Sequence, residues 1–286
     1  MRVEFEKLHG IGNDFVVIDG RSLAVSWAGT LGQTLCDRHK GIGADGLLIW
    51  RDTGAGPSME VINADGSVAE MCGNGLRCFV KYLLDNHYPK LAAITVQTGA
   101  GPLSCEAQRD PSGRVQSVAV KMSAPQWQPE AIPLLAQGPL LDAPIQILAQ
   151  SVRLTALNTG NPHGVTFDRV TEADRLRLGP ALHDHPMFPA HANIEFARRV
   201  VDALGDVSFD LDVFERGCGW TQACGTGATA TVLAAVRLGL APAEKAIAVR
   251  LPGGTLHITV DRDGIATMRG PAVFVYCGQI EVQSSV

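Results

Sequence analysis

Apolar positions along this chain fall in short runs separated by clusters of Gly, Asn and Asp, which is the pattern of strands joined by tight turns. Residues 3–8 and 15–18 flank His9-Gly10-Ile11-Gly12-Asn13-Asp14 and read as strand, glycine turn, strand. A helical stretch at about 27–39 leads through Gly41-Ile42-Gly43-Ala44-Asp45-Gly46 into a buried strand at 47–50. A strand at 59–62 ends in Asn63-Ala64-Asp65-Gly66, residue types that tolerate the backbone angles of turns. Further strands are predicted at 93–98, 103–107 and 115–122, and in the second half at 152–157 and 165–167. Two stretches, 76–85 and 228–240, can be helical, and each follows the same short motif.

That motif is Cys-Gly-x-Gly, present as Met71-Cys72-Gly73-Asn74-Gly75 and again, 152 residues later, as Cys224-Gly225-Thr226-Gly227. Other echoes keep the same order. Gly12-Asn13 returns as Gly160-Asn161, offset by 148, and Val96, Gly101 and Leu103 return as Val249, Gly254 and Leu256, offset by 153. Asn63 stands nine residues before Cys72, and Glu215 nine before Cys224. Nearly constant offsets in a conserved order imply a duplicated lobe of ordinary domain size. The five prolines within 124–144 mark the expected linker, because proline lacks a backbone donor and resists helices and central strands. The predicted class is therefore α+β: two similar, pseudo-symmetric lobes of mostly antiparallel strands, each around a central helix, with the active site in the cleft between them. The lobes are expected at 1–122 and 123–270.

A cysteine at a helix N-terminus sits where unpaired backbone N–H groups favour negative charge, which stabilises a thiolate and also suits a bound carboxylate or phosphate. Two such cysteines in matching contexts suggest two activated thiols facing one anionic substrate. Either copy alone would read more plainly as a structural cysteine at a glycine turn. A zinc site is not specified, since Cys72 and Cys78, like Cys218 and Cys224, are six apart with no Cys-x-x-Cys pair or spaced histidine pair. The Walker lysine and the full dinucleotide fingerprint are missing. A Cys-His hydrolase needs one cysteine, not two symmetric ones. His163 follows the Gly-Asn turn that mirrors Gly12-Asn13 and is placed to tune a thiol, although a histidine after proline is more often a turn residue. Glu215 and Arg216 have a bland reading as a solvated pair, but an arginine there can clamp a carboxylate in two-pronged fashion.

Composition narrows the partners. The 286 residues carry a net charge of −5 with no basic tract, so nothing points to nucleic acid, and a small molecule is the better expectation. Hydrophobic content of 46% is ample for buried cores. The start lacks the apolar region of a signal peptide and no apolar run approaches membrane length, so the expected place is the cytoplasm, with no membrane partner. Seven cysteines, an odd number, are expected to be reduced there.

Taken together, Gly12-Asn13-Asp14-Phe15, Asn63-Ala64-Asp65-Gly66-Ser67, Met71-Cys72-Gly73-Asn74-Gly75, Gly160-Asn161-Pro162-His163, Glu215-Arg216-Gly217 and Gln222-Ala223-Cys224-Gly225-Thr226-Gly227 resemble the diaminopimelate epimerases across essentially the whole chain. Proline racemases share the two-cysteine plan, but Asn74 and Glu215-Arg216-Gly217 favour the epimerases. The resemblance implies interconversion of LL- and meso-diaminopimelate with no pyridoxal phosphate, metal or other cofactor. It also implies two lobes closing on substrate, a homodimer, and a C-terminal strand within 271–286 that returns to the first lobe. By the same resemblance Cys72 and Cys224 are the acid/base pair. Asn13, Asn63, Gly73, Asn74, Asn161, Asn193, Glu215, Arg216, Gly225 and Thr226 line the substrate, and His163 and Glu215 tune the thiols. One departure stands out: some members carry a substrate-touching Gln where this chain has Gly46. The alternatives are a racemase for another amino acid, in which Arg216 would serve no distal carboxylate, and a non-catalytic amino-acid-binding protein, which has no use for opposed thiols.

Overall fold

A computed structural model describes residues 2–23, 28–69 and 71–282. In chain order the elements are β1 (Arg2–Gly10), β2 (Asn13–Asp19), α1 (Ala28–Cys36), β3 (Gly46–Thr53), β4 (Gly56–Asn63), β5 (Val68–Ala69), α2 (Gly73–Asn86), β6 (Ala93–Thr98), β7 (Gly101–Arg109) and β8 (Val115–Lys121). They continue with β9 (Ala143–Ile147), β10 (Gln150–Asn158), β11 (Pro162–Thr166), α3 (Glu172–His183), β12 (Asn193–Val201), β13 (Val207–Glu215), β14 (Gly219–Thr221), α4 (Gly225–Arg237), β15 (Ile247–Leu251), β16 (Gly254–Val260), β17 (Ala266–Pro271) and β18 (Val273–Glu281). The chain forms two compact units, Met1–Val120 with Arg269–Val286, and Lys121–Met268. Trp27, the expected start of the first helix, lies outside the described residues.

The two units repeat one pairing scheme. In the first, β1 pairs antiparallel with β2, β2 parallel with β3, β3 antiparallel with β4, β4 antiparallel with β5 and parallel with β6, and β6 antiparallel with β7. In the second, β10, β11, β12, β13, β14, β15 and β16 take the same places with the same senses. Parallel neighbours need a crossover long enough to return the chain to the same end of the sheet, usually a helix. This accounts for the α-helices among the described residues: the stretches expected at about 27–39, 76–85 and 228–240 appear as α1, α2 and α4, and α3 is the one the sequence did not suggest. α1 carries β2 to β3, α2 carries β4 to β6, and α3 and α4 do the same in the second unit. In addition, β18 adds to the first unit beside β1 with antiparallel register.

The α2 and α4 helices are central in a physical sense. Every residue from Gly73 to Leu84 is buried, as are nearly all from Gly225 to Ala235. A helix buried on all sides must satisfy any charge it carries. Lys81 does so through Asp85, one turn on at 2.8 Å, and the Val115 carbonyl at 2.6 Å. The proline-rich segment is not a bare linker. Gln126 pairs with Asn158, and Ile132, Leu134 and Leu140 join the core of the second unit with Leu178, Leu182 and Phe188.

Candidate active site

In the first unit the site grows from the N-terminus of α2. Cys72 is the N-cap, with extended backbone angles (φ −140°, ψ 113°), and its Sγ accepts the Gly75 N–H at 3.4 Å. Ser, Thr, Asp and Asn are the residues a helix prefers at this place, so a cysteine there is chosen for something other than capping. The Sγ in turn lies 3.9 Å from Asn13 Oδ1, and Asn74 Nδ2 donates to the same oxygen at 3.1 Å. Asn13 Nδ2 donates to Asp45 Oδ2 at 2.8 Å, fixing the amide's orientation. Burial raises the Asp14 carboxyl, but hydrogen bonds from Arg38, Lys7 and Asp45 outweigh it and hold the group well below the usual carboxylate range. Beneath the helix start, the fully buried Arg77 donates to Asn74 Oδ1 at 2.8 Å and to the Gly73 carbonyl at 3.2 Å. Asn63 closes a turn with Ser67 just ahead of this helix, its Nδ2 donating to Ser67 Oγ at 2.9 Å. At Gly46, an added Cβ would lie 3.1 Å from the Ile62 carbonyl oxygen, so this strand start is tight against β4.

The second unit repeats the arrangement around α4. Cys224 is the N-cap (φ −122°, ψ 105°), accepts the Gly227 N–H at 3.2 Å, and lies 3.5 Å from Thr226 Oγ1. Burial pushes this thiol well above its ordinary range, and the neighbouring Glu215 and Glu195 carboxyls push it further, against the hydrogen bonds from Thr226 and Gly227. A helix terminus by itself lowers a thiol, but at Cys224 desolvation and two acids outweigh it. Burial also raises Glu215, while hydrogen bonds from Thr221 and Cys224 act the other way. The Cys224 thiol thus rests against a carboxyl whose own proton affinity is raised by burial.

The remaining groups of this unit converge through β11 and β12, whose parallel register sets His163 beside Asn193. His163 is fully buried; its Nδ1 lies 2.7 Å from Glu195 Oε1 and its Nε2 2.8 Å from Asn161 Oδ1. Asn193 accepts the Arg216 backbone N–H at 2.8 Å, and its buried Nδ2 has no acceptor among the described residues. The Arg216 side chain is exposed, donates to the Ala190 carbonyl at 3.2 Å, and pairs with no carboxylate among the described residues. Its planar fork is therefore open to a ligand.

Each unit thus gathers the expected residues of its own half: Asn13, Asn63, Cys72, Gly73 and Asn74 in the first, and Asn161, His163, Asn193, Glu215, Arg216, Cys224, Gly225 and Thr226 in the second. The sequence reading missed Asp45, Arg77 and Glu195. Arg77 had a readable signal, a cation flanked by Leu76, Cys78, Phe79 and Val80 in the predicted helix. Glu195 had one too, an acid within the apolar run 194–197.

The structure predicts an order of thiol reactivity. Thiolates, not thiols, are alkylated. Cys224 is 3% exposed and held protonated, whereas Cys72 is more open. Iodoacetamide near neutral pH is expected to modify Cys72 at least about tenfold faster than Cys224. Timed peptide mapping by mass spectrometry measures both rates, and faster modification of Cys224 would contradict this account of its surroundings.

The sequence profile of the diaminopimelate epimerase family matches residues 5–128 and 155–275. The chain is 36% identical over 288 residues to the diaminopimelate epimerase of Leptospira biflexa, covering 99% of this chain and 100% of that one. It is 40% identical over 282 residues to the diaminopimelate epimerase of Desulfitobacterium hafniense, covering 96% and 97%. Among solved structures, a probable proline racemase from Agrobacterium radiobacter K84 shares the fold with a TM-score of 0.69 at 16% identity, over 99% of this chain and 93% of that one.

Proposed function

This chain belongs to the diaminopimelate epimerase family, and we propose that it interconverts LL- and meso-2,6-diaminopimelate for lysine and peptidoglycan-precursor biosynthesis, using two thiols and neither pyridoxal phosphate nor metal. The observation that carries this reading is the pair of equivalent helices, each N-capped by a cysteine that accepts the N–H three residues on. Inverting an α-carbon removes a proton from one face and supplies one to the other. A thiolate takes the α-proton and the C–H electron pair passes into the carbanion and its carboxylate. The second thiol then returns a proton to the opposite face and becomes the thiolate for the reverse reaction. A resting Cys224 that keeps its proton suits the second role.

An α-helix provides no internal acceptors for its first amides, so the starts of α2 and α4, at Gly73-Asn74 and Gly225-Thr226, suit the charge that develops on the α-carboxylate. One donor of this kind contributes about 3 kcal/mol to a transition state, so several offset much of what a cofactor's electron sink would supply. The unpartnered Asn193 Nδ2 and the open fork of Arg216 suit the substrate's carboxylates. The test is incubation of purified, metal-free and pyridoxal-free protein with LL-diaminopimelate in D2O. Appearance of the meso isomer with deuterium at the inverted carbon supports the reading, and inversion without deuterium would end it.

Arg216→Lys keeps the charge and loses the planar two-pronged fit, so KM for diaminopimelate is expected to rise about tenfold or more. Binding of a monocarboxylate analogue should change much less. Equal losses for both ligands would show that Arg216 does not read a distal carboxylate. We further place the enzyme in the cytoplasm as a homodimer. No helix among the described residues is long and apolar enough to cross a membrane. Val273, Phe274, Val275 and Tyr276 in β18 are each more than 40% exposed, and neighbours in a strand point to opposite faces, so this stretch of β18 leaves apolar surface partly exposed on both faces. A second copy suits such a strand, and light scattering on the purified protein gives the stoichiometry.

A further inference from the structure

Glu195 is a fully buried acid in the middle of β12, and among the described residues its one hydrogen bond to a side chain is between Oε1 and His163 Nδ1 at 2.7 Å. Its Oε2 is buried with no partner among the described residues. An unpaired carboxylate in such a place is costly, so the pair must be counted together. His163 Nε2 faces the amide oxygen of Asn161 at 2.8 Å, and a ring nitrogen approaches an amide oxygen only by donating a proton. The contact between Nδ1 and Oε1 holds a second proton, on whichever of the two atoms it resides. Imidazolium with carboxylate and neutral imidazole with carboxylic acid have the same proton count and the same net charge of zero. In both, Nε2 carries a proton and Asn161 Oδ1 is occupied. The Asn161 amide is then left with its Nδ2 as the group turned away from the ring.

We propose that Glu195 is a positioning residue, acting through His163 to fix the Asn161 amide with its N–H donors toward the substrate. The proposal rests on the epimerase reading, in which Asn161 contacts diaminopimelate. Were Nε2 bare instead, Asn161 would turn its Nδ2 to the ring and present an oxygen to the substrate's carboxylate, a repulsive contact. The sequence carries Glu195 for the same reason that it carries His163 and Asn161, since no single member of the chain holds its orientation alone.

Nitrogen-15 NMR of histidine-labelled wild-type protein reads the ring directly. His163 Nε2 is expected to carry a proton, and a bare Nε2 would overturn the proposal. That measurement needs no turnover, so a chain inactive on diaminopimelate would remove the epimerase reading and leave the NMR result standing. Kinetics test the link to substrate. Glu195→Leu leaves Nδ1 without a partner and is expected to raise KM about tenfold, but less than about twofold in an Asn161→Ala background, because coupled residues are not additive. Glu195→Gln, whose amide can donate to Nδ1 and keep the Nε2 proton in place, is expected to restore KM to within about threefold of wild type. An equal penalty for Glu195→Leu in both backgrounds, or a Gln variant as impaired as the Leu variant, would show that Glu195 acts elsewhere.

Discussion

Replacing either Cys72 or Cys224 with Ala is expected to cut epimerisation by about 10³-fold or more while sparing proton exchange on one stereoisomer. With one thiol gone, the carbanion has no donor on that face. The surviving thiolate can still remove an α-proton and return deuterium to the same face, so each variant should exchange without inverting. The proposed mechanism has the two cysteines serve opposite faces, so it requires that Cys72→Ala and Cys224→Ala prefer opposite stereoisomers. Cys78→Ala is the control. Cys78 lies at 0% exposure one turn into α2, and burial pushes its thiol up to about 12, as expected of a packing residue. It should leave turnover nearly intact. NMR of each variant with LL- and meso-substrate in D2O decides the matter, and exchange of the same stereoisomer by both variants would rule out a two-face mechanism.

Much of this arrangement could be read from residue order alone, for a definable reason. Duplication leaves paired signals at a constant offset, and the offsets at Cys72/Cys224 and Leu103/Leu256 anticipate the repeated pairing scheme. What stayed hidden depends on contacts distant in sequence. The α3 helix carries Arg, Asp and Glu through its length and an internal Pro180, so only Leu178 and Leu182 mark its buried side. Its existence follows from the parallel pairing of β11 with β12, which no local pattern announces. The segment at 124–144 was legible as proline-rich but not as part of a core, because Ile132 and Leu134 are buried by residues of α3 and β10. The protonation of Cys224 was likewise out of reach. The helix start argued for a lowered thiol, and only the fold brings Glu195 and Glu215 close enough to reverse that.

The second glycine of each motif has a reason that only the packed structure supplies, and it makes the two copies unequal. An added Cβ at Gly227 would lie 2.9 Å from Glu195 Oε1, 3.1 Å from Cys224 Sγ and 3.3 Å from a Val213 methyl. At Gly75 the nearest atoms are a Leu48 methyl at 3.0 Å, then Cys72 Cβ and Sγ at 3.4 and 3.5 Å. Neither glycine has a positive φ, so backbone conformation offers no objection to the change. Sterics decide. The Leu48 methyl is the end of a side chain with no polar tie and can shift by a few tenths of an ångström, whereas Glu195 is fully buried and tied to His163, and Cys224 Sγ accepts the Gly227 N–H itself. Gly227→Ala must therefore displace the Cys224 sulfur or the acid beside it by some tenths of an ångström, and a displacement of about 1 Å at a reacting group costs about 100-fold in rate. The expected result is a folded Gly227→Ala protein with kcat reduced about tenfold, and a Gly75→Ala protein reduced about threefold or less. Melting temperatures measured alongside kcat separate local displacement from general damage: a rate loss at Gly227 that simply follows a loss of stability, or equal losses at the two glycines, would contradict it.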